Sequence, residues 1–232
     1  MTAQTKRFYS DVSVTSQAPF VVLLDAKPIK TPAGNKQELP TKALALAVAD
    51  EWRSQSDKLD IASMVLTKSV NTAIDRIRVR RAQVIEDLAK YAGTDLLCYR
   101  ASTPDELVNR QSESWDQWLA WLSATTGAVL ITGIGITHVE QSQKALAHVH
   151  DAMAKLDDFA LAALSPAVTI TGSAALGLAF AHRVIGPEET LRISQIDEQF
   201  QAERWGHDTE AETVKKNRLS ELTLARRLLD LL

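Results

Sequence analysis

The chain has 232 residues, 45% of them hydrophobic and 24% charged, with a formal net charge of −3 at pH 7. This composition is ordinary for a globular protein of one large or two small domains, and the small negative charge gives no general attraction to nucleic acid or anionic membranes. The single cysteine, Cys98, excludes an internal disulfide and favours a reducing compartment. No apolar run reaches the ~18 residues of a membrane span.

The first 40 residues predict a small antiparallel sheet. Residues 7–14 (RFYSDVSV) alternate in part between apolar and polar side chains, and residues 19–25 (PFVVLLD) form a short apolar run. Both patterns are typical of strands. Ala26-Lys27 separates the second strand from a third extended piece at 28–31, and a link of two residues is typical of a hairpin.

A change in hydrophobic period then divides the chain. Residues 41–56 predict a helix with Thr41 as its N-cap, and this helix is the obvious cover for one face of the sheet. From residue 67 the apolar residues recur at helical spacing. We therefore predict an α+β fold, in which an N-terminal domain of sheet and covering helix (1–66) precedes a C-terminal all-helical bundle (67–232).

The stretch 64–81 lies at this boundary, beginning apolar and ending in four arginines. Its polar groups Asn71, Asp75 and Arg76 are those that we expect to be fixed by partners rather than solvated. The arginines form a basic patch, but no aromatic residue is interleaved with them, as single-stranded nucleic-acid binding would favour. There are three alternatives for this patch: a solvated helix face, ion pairs with carboxylates of another domain or another chain, and RNA binding.

Three features of the helical part predict how its elements pack or where they end. Small residues between Gly172 and Gly177 predict a close contact between helices, because they let backbones approach. Residues 126–139 (TGAVLITGIGITHV) favour a strand through their β-branched content, while their three glycines argue against a long helix. Pro166 is predicted to separate one helix from the next.

Catalytic and metal-binding patterns are weak. Gly133-Ile-Gly135 lacks both the third glycine of a dinucleotide loop and the lysine of a P-loop. His148 and His150 are two residues apart, so on a helix they point away from each other. Cys98 lies in an apolar setting that raises the pKa of a thiol. We predict a protein that is not an enzyme and has no cofactor or metal; a small-molecule hydrolase using Cys98, or a serine, with a histidine such as His138 or His148 is the alternative.

An acidic segment at residues 197–212 surrounds the pair Trp205-Gly206. Gly206 is a natural helix stop, which places Trp205 at a helix end. An aromatic side chain ringed by acids is typical of an interaction hot spot, and packing of Trp205 between the last two helices is the alternative. The acids are Asp197, Glu198, Glu203, Asp208, Glu210 and Glu212.

Seven segments of the chain occur in an order that resembles a known family. They are RFYSDVSV, PFVVLLDAKPIKTP, LPTKALALAVADEW, MVLTKSVNTAIDRI, DLLCYRA, WDQWLAWL and QAERWG. Together they are similar to the assembly chaperones that bind the alpha subunit of the F-type ATP synthase catalytic headpiece. The likeness is densest over residues 7–121 and returns at 199–206.

The resemblance implies a non-enzymatic protein that holds the unassembled alpha subunit without ATP and covers its beta-subunit interface until assembly. We expect a monomer with no nucleic-acid partner and no membrane insertion. The N-terminus has no apolar core of a signal peptide, which favours the bacterial cytoplasm, or the mitochondrial matrix for a mature eukaryotic form. The predicted partner-binding residues are Glu203, Trp205, Gly206, Asp208, Glu210, Glu212 and Arg76, with Glu210 the first choice among the acids after Gly206 and Glu212 the second.

Overall fold

The computed structural model describes residues 6–206 and 209–232. The strands are β1 (Val12–Val14), β2 (Val22–Leu24), β3 (Lys27–Pro28), β4 (Tyr99–Arg100) and β5 (Gly133–Ile134). The helices are α1 (Lys42–Arg53), α2 (Val65–Thr72), α3 (Arg81–Ala89), α4 (Asp105–Thr126), α5 (Gln143–Ala154), α6 (Asp158–Thr171), α7 (Ala174–Ala181), α8 (Pro187–Ser194), α9 (Ile196–Trp205) and α10 (Thr209–Asp230). A π-helical turn, Ala73–Ile77, follows α2. The predicted α+β class is confirmed. No helix among the described residues has the length and apolarity needed to cross a membrane.

The chain divides into two compact units. The first contains the residues up to Arg81, together with Asp158–Ala162 and Arg227–Leu232. The second runs from Ala82 to Asp157 and from Ala163 to Arg226. Helix α2 therefore belongs to the first unit, and a separately folding domain that ends at residue 66 stays a prediction.

In the first unit, β2 is the middle strand of an antiparallel sheet in the order β1-β2-β3. Val22 and Leu24 of β2 are buried on one face, as alternation along a strand requires. Helix α1 contacts β1 and β2 and buries Leu44 and Val48. Thr41 accepts a hydrogen bond from the Leu44 backbone N–H at 3.1 Å, so its predicted role as the N-cap of the covering helix is confirmed.

The hairpin turn between β2 and β3 lies one residue earlier than predicted. Lys27 is the first residue of β3 and pairs with Leu24, so the two turn residues are Asp25 and Ala26. Their φ angles are +47° and +63°, in the left-handed region that a tight hairpin turn requires. The Asp25 carboxylate accepts hydrogen bonds from the backbone N–H groups of Asp11 and Ser10, at 2.8 and 3.0 Å, which also hold its pKa below the usual value.

Replacing Ala26 by glycine is expected to stabilise the protein. A left-handed conformation costs a residue with a Cβ about 1–2 kcal/mol, and glycine removes this cost while adding about 0.4–1 kcal/mol of unfolded-state entropy. We expect a net gain of about 0.5 kcal/mol in thermal or urea unfolding. The control Ala47→Gly, inside α1, should instead lose about 1 kcal/mol, and a loss at both positions would contradict the strain at Ala26.

Polar groups of the boundary stretch hold the first unit together, as expected for Asn71 and Asp75. Asp75, in the π-helical turn, accepts hydrogen bonds from Thr31 Oγ1 at 2.6 Å and Asn35 Nδ2 at 2.8 Å. Burial raises the pKa of Asp75, but these bonds and one from the Ala33 backbone outweigh it and leave the pKa below its usual value. Asn71 accepts from Gln37 Nε2 at 2.8 Å.

The arginines next to this stretch divide into two kinds. Arg78 and Arg81 both pair with Asp158, at 3.0 and 2.9 Å, so these two arginines meet a carboxylate of their own unit rather than one of another domain or chain. Arg76 is exposed, and its side chain forms no hydrogen bond or ion pair within the part of the chain that the structure describes. Its guanidinium therefore faces solvent, and the expectation that a partner within the chain fixes it is wrong.

The core of the second unit is built around α7, all eight of whose residues are buried. Trp115 of α4 is fully buried and donates from its indole Nε1 to the Ile193 carbonyl at 2.9 Å. A Cβ on Gly177 would lie 2.3 Å from Val168 Cγ2, which confirms the predicted close contact of helices at this glycine. Among the described residues of this unit, the strands β4 and β5 form a short parallel pair between the helices, in which Tyr99 lies opposite Gly133.

Candidate partner-binding surface

The C-terminal end of α9 presents an exposed tryptophan. Trp205 is the last residue of α9, and 79% of its surface is exposed. Gly206 follows with φ +96° and ends the helix, as the sequence predicted. The alternative in which Trp205 packs between the last two helices is therefore wrong. A large aromatic side chain that stays exposed does not gain the free energy of burial in the isolated chain. Burial against a binding partner would supply this free energy.

The first turns of α10 are also largely unpacked. From Glu210 to Asn217 every side chain is exposed, including the apolar Val214 at 42%. The second half of the same helix buries Leu222, Ala225, Leu228 and Leu229. The start of α10 therefore offers side chains, among them Glu210 and Glu212, that can be replaced without disturbing a core.

Ion pairs tie Glu203 to its surroundings. Both carboxylate oxygens of Glu203 accept from Arg110 of α4, at 2.9 and 2.8 Å, and Arg110 also pairs with Glu106 at 2.7 Å. Arg204 reaches Glu106 at 3.2 Å. These contacts are partly exposed, so each contributes little to stability. Their effect is to fix the direction of Glu203 at the end of α9.

The same two arginines cover the ring of Phe200, which is buried. The guanidinium of Arg204 lies 4.1 Å and that of Arg110 5.3 Å from the ring centre. Such cation–π contacts orient arginine side chains without neutralising them. Sequence reasoning missed this cluster, although the spacings Phe200–Arg204 and Glu106–Arg110, four residues each, place both pairs on helix faces.

A groove of about 310 Å³ runs between α9 and the start of α10. Six of its eight lining residues are polar or charged, and two of these, Glu203 and Glu212, are predicted site residues. The lining residues are Gln195, Glu198, Gln199, Ala202, Glu203, Ala211, Glu212 and Lys215. The groove has three carboxylates and one ammonium group, and Arg110 is bonded to one of the carboxylates, Glu203. The small net negative charge that remains favours a cationic or hydrogen-bond-donating partner.

The predicted site residues are thus distributed as follows. Glu203, Trp205, Gly206, Glu210 and Glu212 lie along α9 and the first turn of α10 in the second unit. Arg76 lies in the first unit, and Asp208 lies outside the described residues.

The residues of the hydrolase alternative do not form an activated nucleophile around Cys98. The thiol is fully buried, and burial, with the charge of Asp95 second, raises its pKa to about 12. The thiol therefore stays protonated at neutral pH, and the thiolate is the nucleophilic form. His138 is exposed and its Nδ1 lies 3.4 Å from the hydroxyl of Tyr99. Among the described residues, no group of three or more His, Cys, Asp or Glu side chains could hold a metal ion.

Comparison with known proteins identifies the family. A family model described as ATP12 chaperone protein matches residues 6–123, just over half of the chain. The chain belongs to the ATP12 chaperone family. This is the family of ATP synthase assembly chaperones that the ordered motifs resemble.

Relatives of the ATP12 family extend the similarity beyond the matched residues. The crystal structure of Atp12 from Paracoccus denitrificans is 39% identical, with a TM-score of 0.93 and 97% of both chains covered. A mutant of the same bacterial protein gives a TM-score of 0.94. The protein atp12, mitochondrial, of Schizosaccharomyces pombe is 24% identical over 244 residues, covering 97% of this chain and 84% of that protein.

Proposed function

We propose that the protein is an ATP-independent chaperone that binds the unassembled alpha subunit of the F-type ATP synthase and covers its beta-subunit interface. Membership of the ATP12 family supports the chaperone role. The observation that carries the binding site is Trp205, an aromatic side chain 79% exposed at a helix end beside several carboxylates. An aromatic centre with a charged rim is the usual composition of a protein-binding surface.

The physical need for such a protein follows from the subunit that it holds. A subunit that waits for its neighbour exposes a large apolar interface, and exposed apolar patches beyond a few hundred Å² promote aggregation. Binding by the chaperone removes the interface from solution, and the beta subunit then displaces the chaperone by binding more tightly. Such exchange requires an interface with a modest apolar centre and a polar rim.

The residues around Trp205 fit this exchange. Glu203, Glu210 and Glu212 supply negative charge, and basic side chains of the alpha subunit would complement it. We propose Arg76, an exposed cation of the first unit, as a further contact. Asp208 belongs to the same proposal, although it lies outside the described residues.

We further propose that the chaperone acts as a monomer without a cofactor. Its place of action is the bacterial cytoplasm, or the mitochondrial matrix if the source is eukaryotic. The relatives support both compartments, since one comes from a bacterium and the other carries the description mitochondrial.

Replacing Trp205 by alanine is expected to weaken alpha-subunit binding at least tenfold, because truncating a hot-spot aromatic costs about 2 kcal/mol or more. The melting temperature should change by less than about 2 °C, since the side chain contributes little to the core. Glu210→Lys should likewise weaken binding with little change in melting. The measurements are co-elution and light scattering of denatured alpha subunit diluted into the chaperone.

Phe8→Ala is the matched control, because Phe8 is also aromatic and 67% exposed but lies in the first unit. This variant should suppress aggregation as well as the unaltered protein does. If the Trp205 and Phe8 variants lose binding equally, the site is not at the end of α9. If the unaltered protein neither co-elutes with the alpha subunit nor slows its precipitation, the proposed function is wrong.

A further inference from the structure

A second exposed surface lies between α4 and α5, which we name the apolar edge (residues 129–136). Among the described residues, eleven large apolar side chains are exposed, and four of them fall within these eight positions. They are Val129 at 62%, Ile131 at 52%, Ile134 at 72% and Ile136 at 99%. Single exposed apolar residues are normal, whereas a cluster of them marks a contact surface.

The apolar edge is held in place by specific bonds. The Gln141 side chain, which is buried, accepts from the Ile131 backbone N–H at 2.9 Å and donates to the Ile131 carbonyl at 2.8 Å. The Gly135 N–H donates to the Arg100 carbonyl at 2.8 Å. A Cβ on Gly133 would lie 2.4 Å from Val139 Cγ2, so the returning chain packs directly against this glycine. A scaffold thus presents the isoleucines to solvent.

The backbone of this surface is also open to a partner. Strand β5 pairs with β4 along one side, and in the part of the chain that the structure describes no other strand adjoins it. Exposed edges of natural sheets are usually protected by lysine, proline or an inward charge. From Gln117 to Val139 the sequence contains no Asp, Glu, Lys, Arg or Pro. The apolar edge therefore lacks the residues that normally prevent the addition of a strand.

We propose that the apolar edge binds an extended, uncharged, aliphatic segment of the client polypeptide, which adds to β5 as a further strand. Strand addition supplies backbone hydrogen bonds, and alternate side chains of the segment contact the isoleucines. This inference rests on the proposed chaperone function and adds to it a contact distinct from that of Trp205.

The size of the surface decides between a client segment and a second copy of the chain. Its four side chains expose on the order of 300 Å² of apolar surface. This area is the usual transfer free energy of an aliphatic side chain divided by the free energy per unit of buried area, scaled by the exposed fraction of each side chain. A stable complex buries about 800 Å² on each partner, of which about 450 Å² is apolar. The apolar edge is too small for a stable dimer and suits one short, exchangeable segment. A lipid surface fits less well, because it offers no strand to pair with β5.

The test uses a variant carrying both Ile134→Lys and Ile136→Lys. Lysines on the edge oppose strand addition, so we expect the affinity for denatured alpha subunit to fall about tenfold or more, with the melting temperature unchanged within about 2 °C. Hydrogen exchange of 129–136 should slow in the complex of the unaltered protein. Ile61→Lys, at a residue 54% exposed in the first unit, is the control and should bind normally.

Three outcomes overturn the inference. The first is a double-lysine variant that binds the alpha subunit as tightly as the unaltered protein, with unchanged exchange at 129–136; the chaperone function would then stand without this contact. The second is a dimer of the unaltered protein in sedimentation that the two lysines dissociate, which would make a second copy the occupant. The third is binding of the unaltered protein to phosphatidylcholine vesicles that the two lysine substitutions abolish, which would make a lipid the occupant of the apolar edge.

A second client separates this inference from the proposed function. A permanently unfolded protein, such as reduced and carboxymethylated α-lactalbumin, contains aliphatic segments but has no relation to ATP synthase. If the unaltered protein binds it through the apolar edge and ignores the alpha subunit, the edge is a strand-binding site and the assembly function is wrong. If the alpha subunit binds and slows hydrogen exchange at 129–136, the result supports both the strand-binding site and the assembly function.

Discussion

Replacing Asp95 by alanine is expected to lower the free energy of unfolding by about 3 kcal/mol at pH 7. The carboxyl group is completely buried at the start of α7 and accepts from the backbone N–H groups of Leu97 and Ala175, each at 3.1 Å. It also receives hydrogen bonds from Ser173 and the Ala174 backbone. Each donor that alanine leaves buried without a partner costs about 1–3 kcal/mol. Urea unfolding measures the loss.

The pH dependence of this loss has a definite sign. Burial is the larger effect on Asp95 and raises its pKa from 3.8 to about 6, against the hydrogen bonds that lower it. Between these two values the folded protein binds more protons at this site than the unfolded chain does. The contribution of Asp95 to stability is therefore largest below about pH 4 and is lost as the pH rises to about 6, by up to about 3 kcal/mol at 1.36 kcal/mol per pKa unit.

The stability difference between the unaltered protein and Asp95→Ala should consequently widen as the pH falls from about 6 to 4. At pH 7 Asp95 is ionised, and burial of its charge costs free energy. The net loss of unfolding free energy expected for Asp95→Ala is therefore smaller than the summed cost of leaving the four donors without a partner. Glu188→Ala, at an exposed glutamate in the first turn of α8, is the control and should show no such widening. A constant difference across this range would show that Asp95 is not protonated preferentially in the folded protein.

Sequence patterns predicted those elements whose causes are local. The N-cap at Thr41, the covering helix and the stop at Gly206 each depend on a few neighbouring residues, and the structure has all three. The strand predicted at 126–139 was wrong in extent. Its β-branched residues favour a strand, but their partner β4 is two residues long, so Gly133–Ile134 alone pairs with it.

Features that depend on residues distant in sequence could not be predicted from local patterns. Glu51 is an example, since a glutamate on a helix is ordinarily solvated. It is buried, and its carboxylate accepts from the backbone N–H groups of Leu66 and Thr67 at 2.7 and 2.8 Å, which caps the start of α2. Helix α6 likewise continues through Pro166, where a break was predicted.

The candidate surface was predicted in composition but not in arrangement. The sequence placed an aromatic residue among acids at a helix end, yet it could not decide whether Trp205 is buried or exposed. That depends on where α10 begins to pack, and its side chains from Glu210 to Asn217 are all exposed. The arginine that holds Glu203, Arg110, comes from α4, and this contact spans 93 positions in sequence.

Replacing Gly177 by alanine is expected to lower the free energy of unfolding by about 2 kcal/mol, the usual cost of overpacking a core. The added Cβ would lie 2.3 Å from Val168 Cγ2 and 3.3 Å from the Val168 backbone nitrogen, so the side chain of Val168 cannot relieve the contact alone. For a protein of this size the melting temperature should fall by about 4–8 °C. Gly93→Ala is the control, because a Cβ there meets nothing within 4 Å.

Combining Gly177→Ala with Val168→Ala tests whether this contact is the cause. Val168→Ala alone removes two buried methyl groups and should destabilise the protein. In the double variant the new methyl group occupies part of the space that Val168 vacates, so the combined loss should fall below the sum of the single losses by about 1 kcal/mol. Additive losses would mean that the Val168 side chain is not the cause, and would leave the Val168 backbone nitrogen and Leu164 Cδ1, each 3.3 Å from the added Cβ, as the obstacles.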